Sequence, residues 1–135
     1  MMHPARMIVL GSRSPRRREL LEYLVSPERV VVRPPRHHGE PGFEGLTTLE
    51  QIEIRLTEIV ERKMQDVADQ LREGNAATIG FTADWGAILT ADTVIAGSEE
   101  GGQLTVLGQP PEDDAVWHDV VRDWFERYLL GRTHR

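Results

Sequence analysis

Cysteine is missing from all 135 residues, so neither a disulfide framework nor a cysteine-ligated metal can form. Long apolar runs are missing too. The longest span a few residues, as in Met7-Ile8-Val9-Leu10, which is far short of a membrane span or the apolar core of a signal peptide. A positive balance is absent as well. The formal charge is −6, which opposes long-range attraction to nucleic acid, and aromatics, at 6%, are too sparse to interleave a basic patch as base-stacking platforms do. Together these absences predict a cytoplasmic chain with no membrane and no nucleic-acid partner. What is present is ordinary globular chemistry: 39% hydrophobic and 28% charged residues, in a length suited to one compact domain.

The pattern along the chain reads as α/β. Met7 to Leu10 is a buried-strand run, and Gly11-Ser12-Arg13-Ser14 is a turn. Ser14 followed by Pro15 is a strong helix start, with serine as N-cap and proline at the first helical position. Leu20, Leu21 and Leu24 then predict one apolar stripe on a helix of about three turns. Val30-Val31-Val32 reads as a second strand, and residues 34–46 as a loop. Thr48 with Gln51, or Thr47 with Glu50, makes a capping box for a long helix. Its apolar positions are Ile52, Leu56, Ile59, Met64, Val67 and Leu71, and Gly74-Asn75 is its stop.

Beyond that helix the chain changes character. Thr78-Ile79, Ala87-Ile88-Leu89 and Thr93-Val94-Ile95 are short β-prone pieces, and Glu100-Gly101-Gly102 reads as a hairpin turn before the Leu104 to Leu107 run. A last helix follows Pro110-Pro111, with Glu112, Asp113 and Asp114 at its positive end. Its apolar side carries Val116, Val120 and Trp124 with Phe125, Tyr128 and Leu129; Trp117 and Trp124 read as core or interface residues, and Gly131 ends it.

Two stretches carry chemistry. In Gly11-Ser12-Arg13-Ser14-Pro15-Arg16-Arg17-Arg18 a strand feeds a helix start, where free N–H groups and the positive end of the helix dipole converge on an anion. Ser12 and Ser14 add hydroxyls, and Arg16 and Arg17 add guanidinium forks that match phosphate oxygens. A capped surface helix with a solvated arginine cluster, or a Ser-Pro modification site, would use the same residues. In Ala91-Asp92-Thr93-Val94-Ile95 a carboxylate sits in apolar surroundings. It must be hydrogen-bonded, bind metal or shift its pKa, unless it merely makes a turn. His37-His38 with Glu40 could meet a metal, although adjacent side chains in a loop rarely converge.

Leu10 to Leu21 resembles the Ala/Gly-Ser-x-Ser-Pro-Arg-Arg-x-Glu-Leu-Leu signature of the Maf-like nucleoside triphosphate pyrophosphatases. Ala91-Asp92-Thr93-Val94 resembles that family's Ala-Asp-Thr-Val, and Glu61-Arg62-Lys63 its lysine-bearing helix segment. Leu107-Gly108-Gln109-Pro110 resembles a Leu-Gly-Lys-Pro turn, and Leu130 to His134 the end of its Leu-Ser-Gly-x-Thr-His helix. The resemblance implies a mixed sheet with flanking helices, similar to the inosine triphosphatase group, formed by residues 1–135 as the N-terminal part of a single domain. It further implies cleavage of a nucleoside triphosphate, of pyrimidine or modified base, to monophosphate and pyrophosphate with Mg²⁺ or Mn²⁺. By motif, Asp92 would activate water and help hold metal, with Glu40 or Glu44 as a second acid. Arg16 and Thr93 would govern substrate choice, and Ser12, Ser14, Arg17 and Lys63 would contact phosphates.

Two departures stand out. Gln109 occupies the place of the family's lysine; it can donate hydrogen bonds but cannot neutralise phosphate, so it predicts a lower rate or altered specificity. The chain also ends where the family continues into further strands. A truncated reading frame, a fragment that covers itself as a homodimer, or a degenerate, non-catalytic nucleotide-binding or regulatory paralogue would each account for that.

Overall fold

The computed structural model describes residues 6–37, 39–73, 85–109, 113 and 115–132. The chain divides into two compact units: residues 1–40 with 58–92, and residues 41–57 with 93–135.

The first unit is built on a three-stranded parallel sheet in the order β2-β1-β3, formed by β1 (Met7–Leu10), β2 (Val30–Val32) and β3 (Trp85–Leu89). The apolar runs that predicted β1 and β2 make them, and Val9 and Leu10 are each only 2% exposed. Helix α1 (Pro15–Glu22) crosses from β1 to β2, with Pro15 opening it and the Ser14 hydroxyl accepting the Arg17 N–H as N-cap. It is shorter than the apolar stripe predicted. The chain turns at Tyr23, where the N–H groups of Leu24 and Val25 both donate to Leu21 O, and Ser26-Pro27 then opens a single 3₁₀ turn. Leu20 and Leu24 are exposed, so the spacing located a stripe that this unit leaves uncovered.

Helix α2 (Leu49–Glu73) starts from the Thr48/Gln51 capping box: Gln51 N–H donates to Thr48 Oγ1, while Gln51 Oε1 accepts from the N–H groups of Thr47 and Thr48. Its residues through Thr57 group with the second unit and the remainder with the first. In the first unit Ile59 and Val67 are buried on one face of the helix, and the Thr90 hydroxyl donates to Val60 O. Gly11 is required by close approach: a Cβ there would lie 2.7 Å from Thr90 Cγ2 and 2.9 Å from Val67 Cγ2. The proposed stop at Gly74-Asn75 and the Thr78-Ile79 piece lie outside the described residues.

β1 leads through α1 to β2 on one side, whereas β3 pairs on the other side of β1. The carboxyl ends of β1 and β3 therefore flank a topological switch point, the place where open parallel sheets bind ligands.

The second unit holds the antiparallel pair β4 (Ile95–Ser98) and β5 (Leu104–Leu107), α3 (Trp117–Trp124) and a π-helical turn at Phe125–Leu129. The hairpin turn lies where the glycines placed it: Gly101 and Gly102 both have positive φ, and Glu99 N–H closes on Gln103 O at 2.8 Å. Thr93 and Val94 do not join β4, which begins at Ile95. Asp113 makes a turn, its Oδ1 accepting from Ala115 N–H and its carbonyl from Val116 and Trp117 N–H, so it caps a turn ahead of α3. Trp117 stacks on His118, both Trp117 and Trp124 are half-buried, and Gly131, with φ 66°, follows the helix end. Glu112, Asp114 and His134 lie outside the described residues.

Candidate functional site

The loop after β1 folds onto its own hydroxyls. Ser12, 5% exposed, accepts from Ser14 N–H at 3.1 Å and from Arg17 Nη1 at 3.4 Å. Pro15 has no N–H, and neither the N–H nor the guanidinium of Arg16, exposed at the second helical position, donates a hydrogen bond among the described residues. Its N–H and guanidinium are thus the donors this helix start offers outward. Arg13 is occupied differently: its Nη2 donates to Pro35 O at 2.7 Å and ties the loop to the segment after β2.

Arg17 reaches from α1 across the switch point to the loop after β3, where Nη1 donates to Ala91 O at 2.8 Å. The next residue, Asp92, is met from the other side by Lys63 of α2. Lys63 Nζ lies 3.1 Å from Asp92 Oδ1 and 2.7 Å from Glu40 Oε1. The side chains of Lys63 and Asp92 are only 17% and 15% exposed, while Glu40 is 45% exposed and opens the cluster to solvent. Of the residues singled out by sequence, Ser12, Ser14, Arg17, Asp92, Lys63 and Glu40 are thereby brought together. Thr93 and Gln109, both exposed, belong to the second unit, as does Glu44, which lines a cavity of about 440 Å³ with Phe43, Leu46 and Leu104.

His38 lies outside the described residues, and His37 Nδ1 lies 2.6 Å from Asp66 Oδ2. Among the described residues no three His, Cys, Asp or Glu converge as a metal cage. Two carboxylates on one ammonium remain, an all-oxygen set of the type that holds Mg²⁺ or Mn²⁺ together with substrate phosphates. In that limited sense the residues fit a divalent cation.

Asp66 was missed by sequence reasoning. Its side chain is 6% exposed and accepts from the N–H groups of Arg36 and His37, from the His37 ring and from Gln70 Nε2. Burial alone raises the Asp66 pKa. The His37 and Arg36 N–H groups, the Gln70 amide and the His37 ring outweigh it and hold the carboxyl well below the usual carboxylate range. Gln70 also donates to Pro34 O, and Arg33 N–H to Leu10 O. Residues 33–37 are therefore clamped onto β1 and α2 ahead of Glu40. A helical spacing was the available signal: Lys63, Asp66 and Gln70 lie three and four residues apart, beside the buried stripe of Ile59 and Val67.

A family model described as Maf-like protein matches residues 7–122 of the 135. No curated protein and no solved structure matches the chain. No helix among the described residues is long and apolar enough to cross a membrane.

Proposed function

This chain belongs to the Maf-like protein family, and from that premise we propose that it is a nucleoside triphosphate pyrophosphatase, hydrolysing a pyrimidine or modified nucleotide to its monophosphate and pyrophosphate. In this reading residues 1–135 are one domain of an α/β fold similar to the inosine triphosphatase group. The observation that carries the proposal is the Arg17 bridge to Ala91 O, which holds an anion-type helix start beside the Asp92 carboxylate.

Asp92 accepts the proton of a water whose oxygen attacks the α-phosphorus. The bond from that phosphorus to the α,β-bridging oxygen breaks, and pyrophosphate leaves. Arg16 and the Ser12 and Ser14 hydroxyls donate to phosphate oxygens, while Arg17 sets the distance between the two loops. Lys63 neutralises phosphate charge, which is most of what phosphoanhydride cleavage asks of a protein. A divalent cation held by Asp92 and Glu40 would supply further neutralisation of that charge. Arg16 and Thr93 select the substrate.

The test is pyrophosphate release from a panel of purine and pyrimidine triphosphates with Mg²⁺ or Mn²⁺. Release that prefers one base and vanishes in Asp92→Asn supports the proposal; equal release from Asp92→Asn removes Asp92 from its role. Gln109 favours one alternative, a protein that binds nucleotide without cleaving it. That alternative predicts saturable nucleotide binding with no pyrophosphate formed.

A further inference from the structure

The sequence holds fifteen arginines and a single lysine, and that lysine is Lys63. It occupies the stripe of α2 between Ile59 and Val67, which are 1% and 0% exposed, and its ammonium sits on Glu40 and Asp92 at once. A divalent cation held here would draw on the same two carboxylates. An ammonium at 2.7 and 3.1 Å from these carboxylates and a magnesium at about 2.0–2.1 Å from their oxygens would lie side by side, and the two positive charges repel.

We infer that Lys63 is an internal place-holder for the divalent cation: it neutralises Asp92 and Glu40 when no metal is bound and must move onto the incoming polyphosphate before metal can bind there. The inference rests on the reading of this site as a triphosphate site and adds an order of events to it. Metal alone meets a site of two acids already paired to one cation. With no third acid or histidine among the described residues, the metal has too few ligands to evict the lysine by itself. A triphosphate supplies both missing parts, oxygens that receive the ammonium and oxygens that complete the metal's shell. Metal and polyphosphate therefore favour each other's binding, and by linkage the coupling is reciprocal.

The lone lysine makes the test selective, since ¹³C-lysine labelling of the full chain gives one ε-CH₂ signal. That signal should stay in place with Mg²⁺ alone and move when inorganic tripolyphosphate accompanies the same Mg²⁺ concentration. Mn²⁺ binding without phosphate, followed by electron paramagnetic resonance, should be tighter in Lys63→Gln than in the wild-type chain by about tenfold or more. Lys63→Arg, which keeps the charge, should stay weak.

A lysine signal that moves fully with Mg²⁺ alone overturns the inference, as does one that ignores tripolyphosphate. Mn²⁺ affinity unchanged in a folded Lys63→Gln does so too. If Lys63→Gln does not fold, the labelled wild-type chain still decides. Pyrophosphate released by the wild-type chain while Mn²⁺ affinity is unchanged in Lys63→Gln removes the place-holder and leaves the enzyme reading intact. Tighter Mn²⁺ in Lys63→Gln, with no pyrophosphate from the wild-type chain, does the reverse.

Discussion

Arg17 on α1 donates to the carbonyl of Ala91 at 2.8 Å, joining residues 74 positions apart and placing Asp92 next to the tie. The same guanidinium nitrogen reaches the buried Ser12 hydroxyl, so one side chain spans both loops at the switch point.

Replacing Arg17 by alanine should therefore injure stability and chemistry together. Loss of a charge-assisted, half-buried hydrogen bond is expected to cost about 1.5–3 kcal/mol of unfolding free energy in urea titrations. kcat should fall as well, because the Ala91 carbonyl, and Asp92 with it, loses its anchor. Lysine cannot span the same two acceptors, so Arg17→Lys should recover little kcat. Full kcat in Arg17→Lys would show that the bridge does not set the site.

Asp66 yields a pH signature. Its folded pKa is depressed, so the stability it contributes is present above the ordinary carboxylate value of about 3.9 and is lost as pH falls from there through the folded value. Asp66→Asn should be less stable than the wild-type chain at neutral pH, and the gap should narrow below about pH 4. Urea unfolding at several pH values measures this. A gap that stays constant down to acid pH would contradict the ionised clamp. Because the clamp fixes residues 33–37 ahead of Glu40, the variant should also expose the Arg36 and His37 amides to faster hydrogen exchange.

What could be read from the sequence, and what could not, follows from where each signal resides. β1, β2 and α2 were legible because apolar runs, a helical period and a capping box are local properties, and the Ser14 cap was legible for the same reason. The apolar stripe of α1 predicted a longer helix, since periodicity cannot tell whether a partner layer exists to cover Leu20 and Leu24. Thr93 and Val94 read as strand from their β-branched chemistry, yet they stay out of β4 just after Asp92, which Lys63 holds. Asp66 was legible only in part: its helical spacing to Lys63 and Gln70 is local, but the backbone N–H groups it accepts from lie about thirty residues away, and no local motif encodes a tertiary acceptor. The candidate site residues were proposed through motifs, and the double engagement of Lys63 was visible only in the structure.

Gln109, exposed just past β5, carries no charge where the family resemblance expects one. By that resemblance, Gln109→Lys should lower KM for the triphosphate several-fold, with the gain shrinking as salt is raised. Titration of initial rates at low and high ionic strength measures it. An unchanged KM at low salt would show that Gln109 takes no part.

The central claim, hydrolysis at the α-phosphorus by a water that Asp92 activates, is tested most directly by a turnover in H₂¹⁸O with mass analysis of both products. The account predicts one ¹⁸O in the nucleoside monophosphate, none in the pyrophosphate, and loss of both products in a folded Asp92→Asn variant. Label in the pyrophosphate, orthophosphate in its place, or undiminished turnover by Asp92→Asn would contradict it.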